Sequence, residues 1–162
     1  MTTMSTVPQA TAADCAVIAE GVVRYINQYR NEENVPSATV LPGLTAYAEY
    51  RSRQLITNFA HETKDERAAA TALQYGEYID PTLYGGSGEP YYRTNAREAI
   101  AKGGYYGTPD DVAYKLATLV HSSPNHWSYV GSAKYAYIAV GVTCADGIWY
   151  CDIAVTTMPD YG

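Results

Sequence analysis

Apolar positions recur at three- and four-residue steps from about Asp14 to Glu33, where Val17, Ile18, Val22, Tyr25, Ile26 and Tyr29 form one stripe. This spacing predicts an amphipathic helix. Pro36 and Pro42-Gly43 punctuate the connection to a second predicted helix over Leu44–Ala60, with Leu44, Tyr47, Ala48, Arg51, Leu55 and Ile56 on one side. An alanine-rich stretch predicts a short helix around Asp65–Tyr75. Gly76–Arg93 reads as loop, and Thr94–Lys102 as another short helix stopped by Gly103-Gly104. Thr108-Pro109-Asp110-Asp111 is a helix start, with a threonine cap, proline at the first position and acids in the first turn. That helix is predicted to end near His121–Pro124. The period then changes. Ile138, Val140, Val142 and Cys144 alternate with polar or small residues, as do Trp149, Cys151, Ile153 and Val155, and Asp146-Gly147 between them is a hairpin signal. Helices first and antiparallel strands last predict an α+β domain.

The 162 residues are enough for one domain. Residues 1–13 are small, threonine-rich and without periodicity, and are predicted as a linker left after removal of a secretion signal. Residues 14–162 are predicted as the single domain. No window approaches the ~18 apolar residues of a membrane span. Lys plus Arg number 11 against 17 Asp plus Glu, a net charge of −6. An acidic chain with no basic cluster is unsuited to gripping a polyanion, so nucleic acid is excluded as a partner. Of the aromatic residues 17 are tyrosine, two tryptophan and one phenylalanine. Tyrosine combines an apolar face with a hydroxyl that can stay wet, which suits half-buried surfaces. Six tyrosines (Tyr75, Tyr78, Tyr84, Tyr91, Tyr92 and Tyr105) lie between Gln74 and Tyr105.

Cys144 and Cys151 flank the hairpin signal on its more apolar face. A two-residue Asp-Gly turn sets Cys144 opposite Trp149 and leaves the cysteines on a diagonal of about 7–8 Å, too far for a relaxed bridge. A four-residue loop, Asp146 to Trp149, sets them directly opposite. Face patterning allows both registers. The expectation adopted is a Cys144–Cys151 disulfide with the longer loop or a bulge, and hence an oxidising, extracellular compartment. Cys15 is left over as a helix residue.

His61 follows the second helix, and His126 closes Ser123-Pro124-Asn125-His126. Two histidines from separate segments with a carboxylate provide the elements of a zinc-like site with an open position. His121 is also explained as a charge at the negative end of its helix. Other chemistries fail on spacing. His61-Glu62-Thr63-Lys64-Asp65 has Asp where H-E-x-x-H needs its second histidine. Gly85-Gly86-Ser87-Gly88-Glu89 lacks the last glycine of G-x-S-x-G. No glycine-rich stretch ends in G-K-[ST].

Taken together, these segments resemble the CAP superfamily (SCP-like: cysteine-rich secretory, antigen five and pathogenesis-related proteins), in a bacterial-type form. Asn27-Gln28-Tyr29-Arg30 matches the family's N-x-x-R, and Leu44…Ala48…His61 resembles its L-x-x-x-A helix leading to a histidine. Ser123-Pro124-Asn125-His126 is similar to S-P-G-H. Lys134-Tyr135, Ile138–Val142 and Trp149-Tyr150 fall where the closing strands do. The resemblance implies a three-layer α-β-α sandwich with a central antiparallel sheet, and a cleft lined by two histidines and two acids that in several members holds a divalent cation. His61 and His126 match the histidines. Glu98, in Arg97-Glu98-Ala99-Ile100, matches the first acid of a G-E-N-I-type motif, although the flanking Gly and Asn are missing. Glu77 in Gly76-Glu77-Tyr78-Ile79 competes for that place, Glu89 is a further acid for the cleft, and the second acid has no counterpart. His121 is a substitute ligand in this scheme.

The expected function is therefore a secreted domain that binds a lipid-like or peptide ligand, and a divalent cation such as Zn²⁺, in a cleft around His61, Glu98 and His126. One alternative is a metal-dependent hydrolase, in which Zn²⁺ lowers the pKa of a bound water to about 7 and Glu98 or Glu77 is the base. A further alternative is a cell-surface interaction module that uses exposed tyrosines.

Overall fold

The computed structural model describes residues 8–62, 77–79, 81–87, 91–93 and 96–157. The predicted helix at Asp65–Tyr75 lies outside them, as does Glu89. Helix α1, Cys15–Glu32, follows a short 3₁₀ turn at Ala12–Asp14 and buries Ile18, Val22 and Ile26 completely. It stops where Asn34 adopts a left-handed φ of 62° and Val35 N–H returns to the Arg30 carbonyl, a common way to satisfy the last carbonyls of a helix. The N-x-x-R pair does structural work here. Asn27 holds both the N–H and the C=O of Ala38, at 2.8 and 3.2 Å, and so aims the next strand. Buried Arg30 donates to the carbonyls of Pro36, Val130 and Tyr135, which ties α1 to two later segments.

Strand β1 is only Thr39–Val40, and α2 runs Pro42–Thr57. Strands β2, Glu77–Ile79, and β3, Tyr91–Arg93, pair as an antiparallel ribbon inside the stretch read as loop. Strand β4, Arg97–Gly103, replaces the short helix predicted over Thr94–Lys102. Its Glu-Ala-Ile-Ala-Lys composition favours helix, but pairing with strand β6, Ile148–Thr156, overrides so weak a preference. Helix α3, Pro109–His121, begins as predicted, with the Thr108 hydroxyl accepting from Asp111 N–H at 3.1 Å and Asp111 accepting in return from Thr108 N–H. A short α4, Pro124–Val130, follows at once, and β5 is Tyr137–Ala145.

The main sheet has the order β1-β5-β6-β4. Its three long strands are antiparallel, and β1 joins the β5 edge in parallel. The alternating residues Ile138, Val140, Val142, Trp149, Cys151, Ile153 and Val155 face α1, α3 and α4 in one core. On the opposite face Ala139 and Ala154 meet Leu44, Tyr47 and Ala48 of α2 in a smaller one. This is the expected α-β-α sandwich. Gly141 lets α2 come so close because an added Cβ would stand 2.2 Å from the Ala48 carbonyl oxygen.

The hairpin corrects the cysteine expectation. Asp146 and Gly147 take φ values of 50° and 76°, the paired positive values of a type I′ two-residue turn. The register therefore sets Cys144 against Trp149 and Cys151 against Val142. The thiols lie on a diagonal, no Cys144–Cys151 bridge forms, and all three cysteines are free. Cys144 has the Cys15 thiol for a neighbour instead.

Candidate functional site

The small core under α2 carries a cluster of buried charged side chains, Arg51, Glu98 and Asp152. The helix stripe Leu44, Tyr47, Ala48, Arg51, Leu55 turns toward the sheet, so Arg51 is carried inside with its apolar neighbours and is 2 % exposed. From the sheet, Glu98 of β4 and Asp152 of β6 project toward the same layer, since both alternate with residues of the larger core. Arg51 grips Glu98 with both forks: Nε to Oε2 at 2.6 Å and Nη2 to Oε1 at 2.8 Å. Its other donors reach Gln54 Oε1 and the Ala60 carbonyl, each at 2.8 Å. Glu62 Oε1 lies 3.1 Å from Arg51 Nε and also accepts from the Tyr47 hydroxyl at 2.9 Å. This bidentate geometry is the strongest form of the Arg–carboxylate pair.

Burial alone would push the Glu98 carboxyl up. The Arg51 hydrogen bonds, joined by Asp152, the Arg51 charge and His61, outweigh it and lower the pKa to about 2. Asp152 goes the other way. Complete burial, its hydrogen bond to Glu98 and the Glu98 charge raise it well above the usual range, and Arg51 offsets them only in part. No donor group reaches either Asp152 oxygen, so the acid is satisfied only by carrying its own proton toward Glu98. In this buried set burial and the neighbouring Glu98 favour a proton on Asp152, while Arg51 favours the ionised form of Glu98.

His61, with its side chain 54 % exposed, sits at the mouth of this set, Nδ1 3.0 Å from Glu98 Oε1. An ionised carboxylate only accepts, so Nδ1 carries a proton, and the exposed Nε2 edge is turned away from Glu98. Beside it is a polar cavity of about 160 Å³, lined by Arg51, Gln54, Thr57, Asn58, Ala60, His61 and Glu62. His126, in the first turn of α4, is half-buried. Burial and the nearby His61 both depress its pKa, which places the two histidines within electrostatic reach. Its ring stands edge-on to Tyr129 at 6.4 Å, and the Tyr129 hydroxyl donates to the Glu98 carbonyl at 2.7 Å.

Of the residues expected in the cleft, His61 and Glu98 are in contact and His126 is their neighbour. Glu77 is in the two-stranded ribbon, its side chain outside the described part. His121 stacks on Tyr29 with centroids 3.9 Å apart, meets Trp127 edge-on and reaches Glu33 at 3.3 Å. It belongs to an aromatic cluster formed with α1. Among the described residues no group of three His, Cys, Asp or Glu side chains is placed to hold a metal ion. The donors do not fit a divalent cation: both Glu98 oxygens are bound by a guanidinium, and Asp152 is fully buried with its carboxyl pushed toward the protonated form. Arg51, Glu62, Tyr47 and Asp152 were not expected in the site. Arg51 had left a signal, a charge on the apolar stripe of its helix. Asp152 had left a fainter one, an acid inside an otherwise apolar strand.

The comparisons agree with this architecture. A family model described as the cysteine-rich secretory protein family, CAP, matches residues 23–157. Among solved structures, an outer surface protein of Borrelia burgdorferi superposes with a TM-score of 0.62 at 11 % identity, covering 92 % of this chain and 96 % of that one. A cysteine-rich secretory protein of Staphylococcus aureus gives 0.54 at 13 % identity, and an extracellular SCP-domain protein of Bacillus anthracis gives 0.51 at 14 %. They cover 90 % and 86 % of this chain but only 40 % of their own lengths. At these identities the likeness is one of fold. Curated protein sequences gave no match.

Proposed function

Since the chain belongs to the cysteine-rich secretory protein (CAP) family, we propose that it is a secreted binding domain that takes a peptide-like ligand in the polar cavity beside His61, without a resident metal and without hydrolysis. One observation carries this reading: Arg51 occupies both oxygens of Glu98, so the cationic role in the cleft is filled from inside the chain. Secretion is supported by the outer-surface and extracellular descriptions of the structural neighbours and by the lack, among the described residues, of a helix able to cross a membrane. The amides of Gln54 and Asn58 and the Nε2 of His61 suit the N–H and C=O groups of a peptide better than an acyl chain. The hydrolase reading needs a carboxylate that accepts a proton near neutral pH. A Glu98 held at about 2 by Arg51 is too weak a base for that work.

A titration of ¹⁵N-labelled protein with acetyl-triglycine amide tests the proposal. Shifts are expected at Gln54, Asn58 and His61, and His61→Ala should remove them while leaving the rest of the spectrum in place. No shift at millimolar peptide, or the appearance of cleaved glycine fragments, would overturn the reading.

A further inference from the structure

The packing of α1 on the sheet brings together two cysteines that are far apart in the chain. Asn27 holds Ala38, whose neighbour Thr39 pairs with Tyr137, and Arg30 reaches the Tyr135 carbonyl. The C-terminal half of α1 is thus fixed beside the start of β5, and the helix runs antiparallel to the strand it covers. From Asn27 back to Cys15 the helix spans about 18 Å, and from Tyr137 to Cys144 the strand spans about 23 Å. The first residue of α1 therefore arrives at the far end of β5. Both cysteines face this interface. Cys15 precedes Ile18, Val22 and Ile26 on the buried stripe of α1, and Cys144 follows Ile138, Val140 and Val142 on the strand face turned to that helix. Both are half-buried against the same core. The Cys144 main-chain N–H donates to the Cys15 sulfur, which puts that sulfur against the Cys144 backbone. Relaxed disulfides join Cα atoms about 4.4–6.8 Å apart, and a sulfur hydrogen-bonded to the other cysteine's own N–H meets that need for close approach.

We propose that Cys15 and Cys144 are joined by a disulfide when the chain meets a disulfide oxidant, and that the bridge staples the start of α1 to the end of β5. In the first step a thiolate of the pair attacks one sulfur of the oxidant's disulfide, forms a mixed disulfide and expels a thiolate. The second cysteine, as thiolate, then attacks its partner's sulfur, and the oxidant's other sulfur leaves. The two protons lost by the protein thiols go to the two departing thiolates, so one disulfide is reduced for each one formed. Burial raises both thiols, and Cys144 raises Cys15 further. The Cys144 N–H at Cys15 and the Gly147 N–H at Cys144 act the other way. The exchange should therefore run faster at alkaline pH, where more thiolate is present. Cys151 does not compete. It is completely buried, with Val142 and Ala101 opposite it on the flanking strands, and burial and Asp152 push its thiol far up. The pairing depends on how α1 lies on β5 and not on the cavity beside His61.

The test holds the full chain, first reduced, with millimolar glutathione disulfide at about pH 8.5, where thiolate is available. Unfolding and alkylation should then label one cysteine per chain, Cys151, in place of all three. A tryptic digest without reductant should hold the peptide of residues 1–24 linked to that of residues 135–162. The melting temperature should exceed that of the reduced protein by about 5–10 °C, because the bridge closes a long loop of the unfolded chain. Cys15→Ser and Cys144→Ser should each abolish both the cross-link and the rise. Three alkylated cysteines, a glutathione adduct as the end product, a Cys144–Cys151 bridge or a disulfide-linked dimer would each overturn the proposal.

Discussion

Arg51→Met is expected to lower stability by about 3–5 kcal/mol, the range seen when one partner of a buried ion pair is removed. For a domain of this size that is a fall of about 10 °C in melting temperature. Methionine fills most of the space of the arginine stem but supplies no charge and no donors. Glu98 then loses both of its short hydrogen bonds, the Ala60 carbonyl loses its donor, and Glu62 keeps only Tyr47. The loss should shrink on acidification, because a Glu98 freed from its cation can be neutralised by a proton. Denaturant unfolding at pH 4 and pH 8 reads this directly. A penalty equal at both pH values would mean that Arg51 contributes packing and little charge.

Asp152→Asn is expected to raise stability at neutral pH, an unusual outcome for a change at a fully buried site. The sign follows from the two carboxyls. Glu98 is lowered from 4.5 to about 2 on folding, so it contributes stability above about pH 4.5 that is lost as pH falls toward 2. Asp152 is raised above its unfolded value of 3.8, so its contribution is fully present below that value and is lost as pH rises. The pair is therefore best accommodated near pH 4. Above it, retention of the Asp152 proton costs about 1.4 kcal/mol per pH unit until that acid ionises. Asparagine keeps a donor for Glu98 and has no proton to lose. The variant should match the parent near pH 4 and exceed it increasingly toward pH 7, as read from denaturant midpoints. A variant that is less stable by the same amount across this range would show that Asp152 is ionised in the native state.

The elements legible in the sequence were those whose patterns are local. The α1 stripe, the Thr108 cap and the alternation around Asp146-Gly147 each report one element and the face it buries. Glu98–Lys102 has helical composition and predicts helix, whereas the strand state of β4 comes from β6, some fifty residues away in the chain. Strand β1 is two residues long, too short for any period to show. The candidate site divides in the same way. His61, Glu98 and His126 stood in recognisable motifs, and the fold brings them near one another. Their meaning changed because Arg51 and Asp152, which lie in no motif, lock Glu98 from two other elements. The hairpin cysteines show the limit of face patterning: both registers put Cys144 and Cys151 on one face, and the left-handed Asp146 and Gly147 decide between them.

The tyrosine excess also gains a partial account. Tyr47 and Tyr129 serve the site, one holding Glu62 and the other the Glu98 carbonyl. Tyr25 and Tyr29 join α1 to α3 through Asp110 and Thr118. These hydroxyls act as connectors between elements, a role phenylalanine cannot fill.

In the proposed reading the guanidinium of Arg51, bound to both Glu98 oxygens, serves as the cation of the cleft. Calorimetric titration of the purified, metal-stripped protein with zinc chloride tests it most directly. No one-to-one binding at micromolar zinc is expected, in the parent and in His61→Ala alike. Stoichiometric zinc binding by the parent, abolished by His61→Ala or His126→Ala, would contradict it.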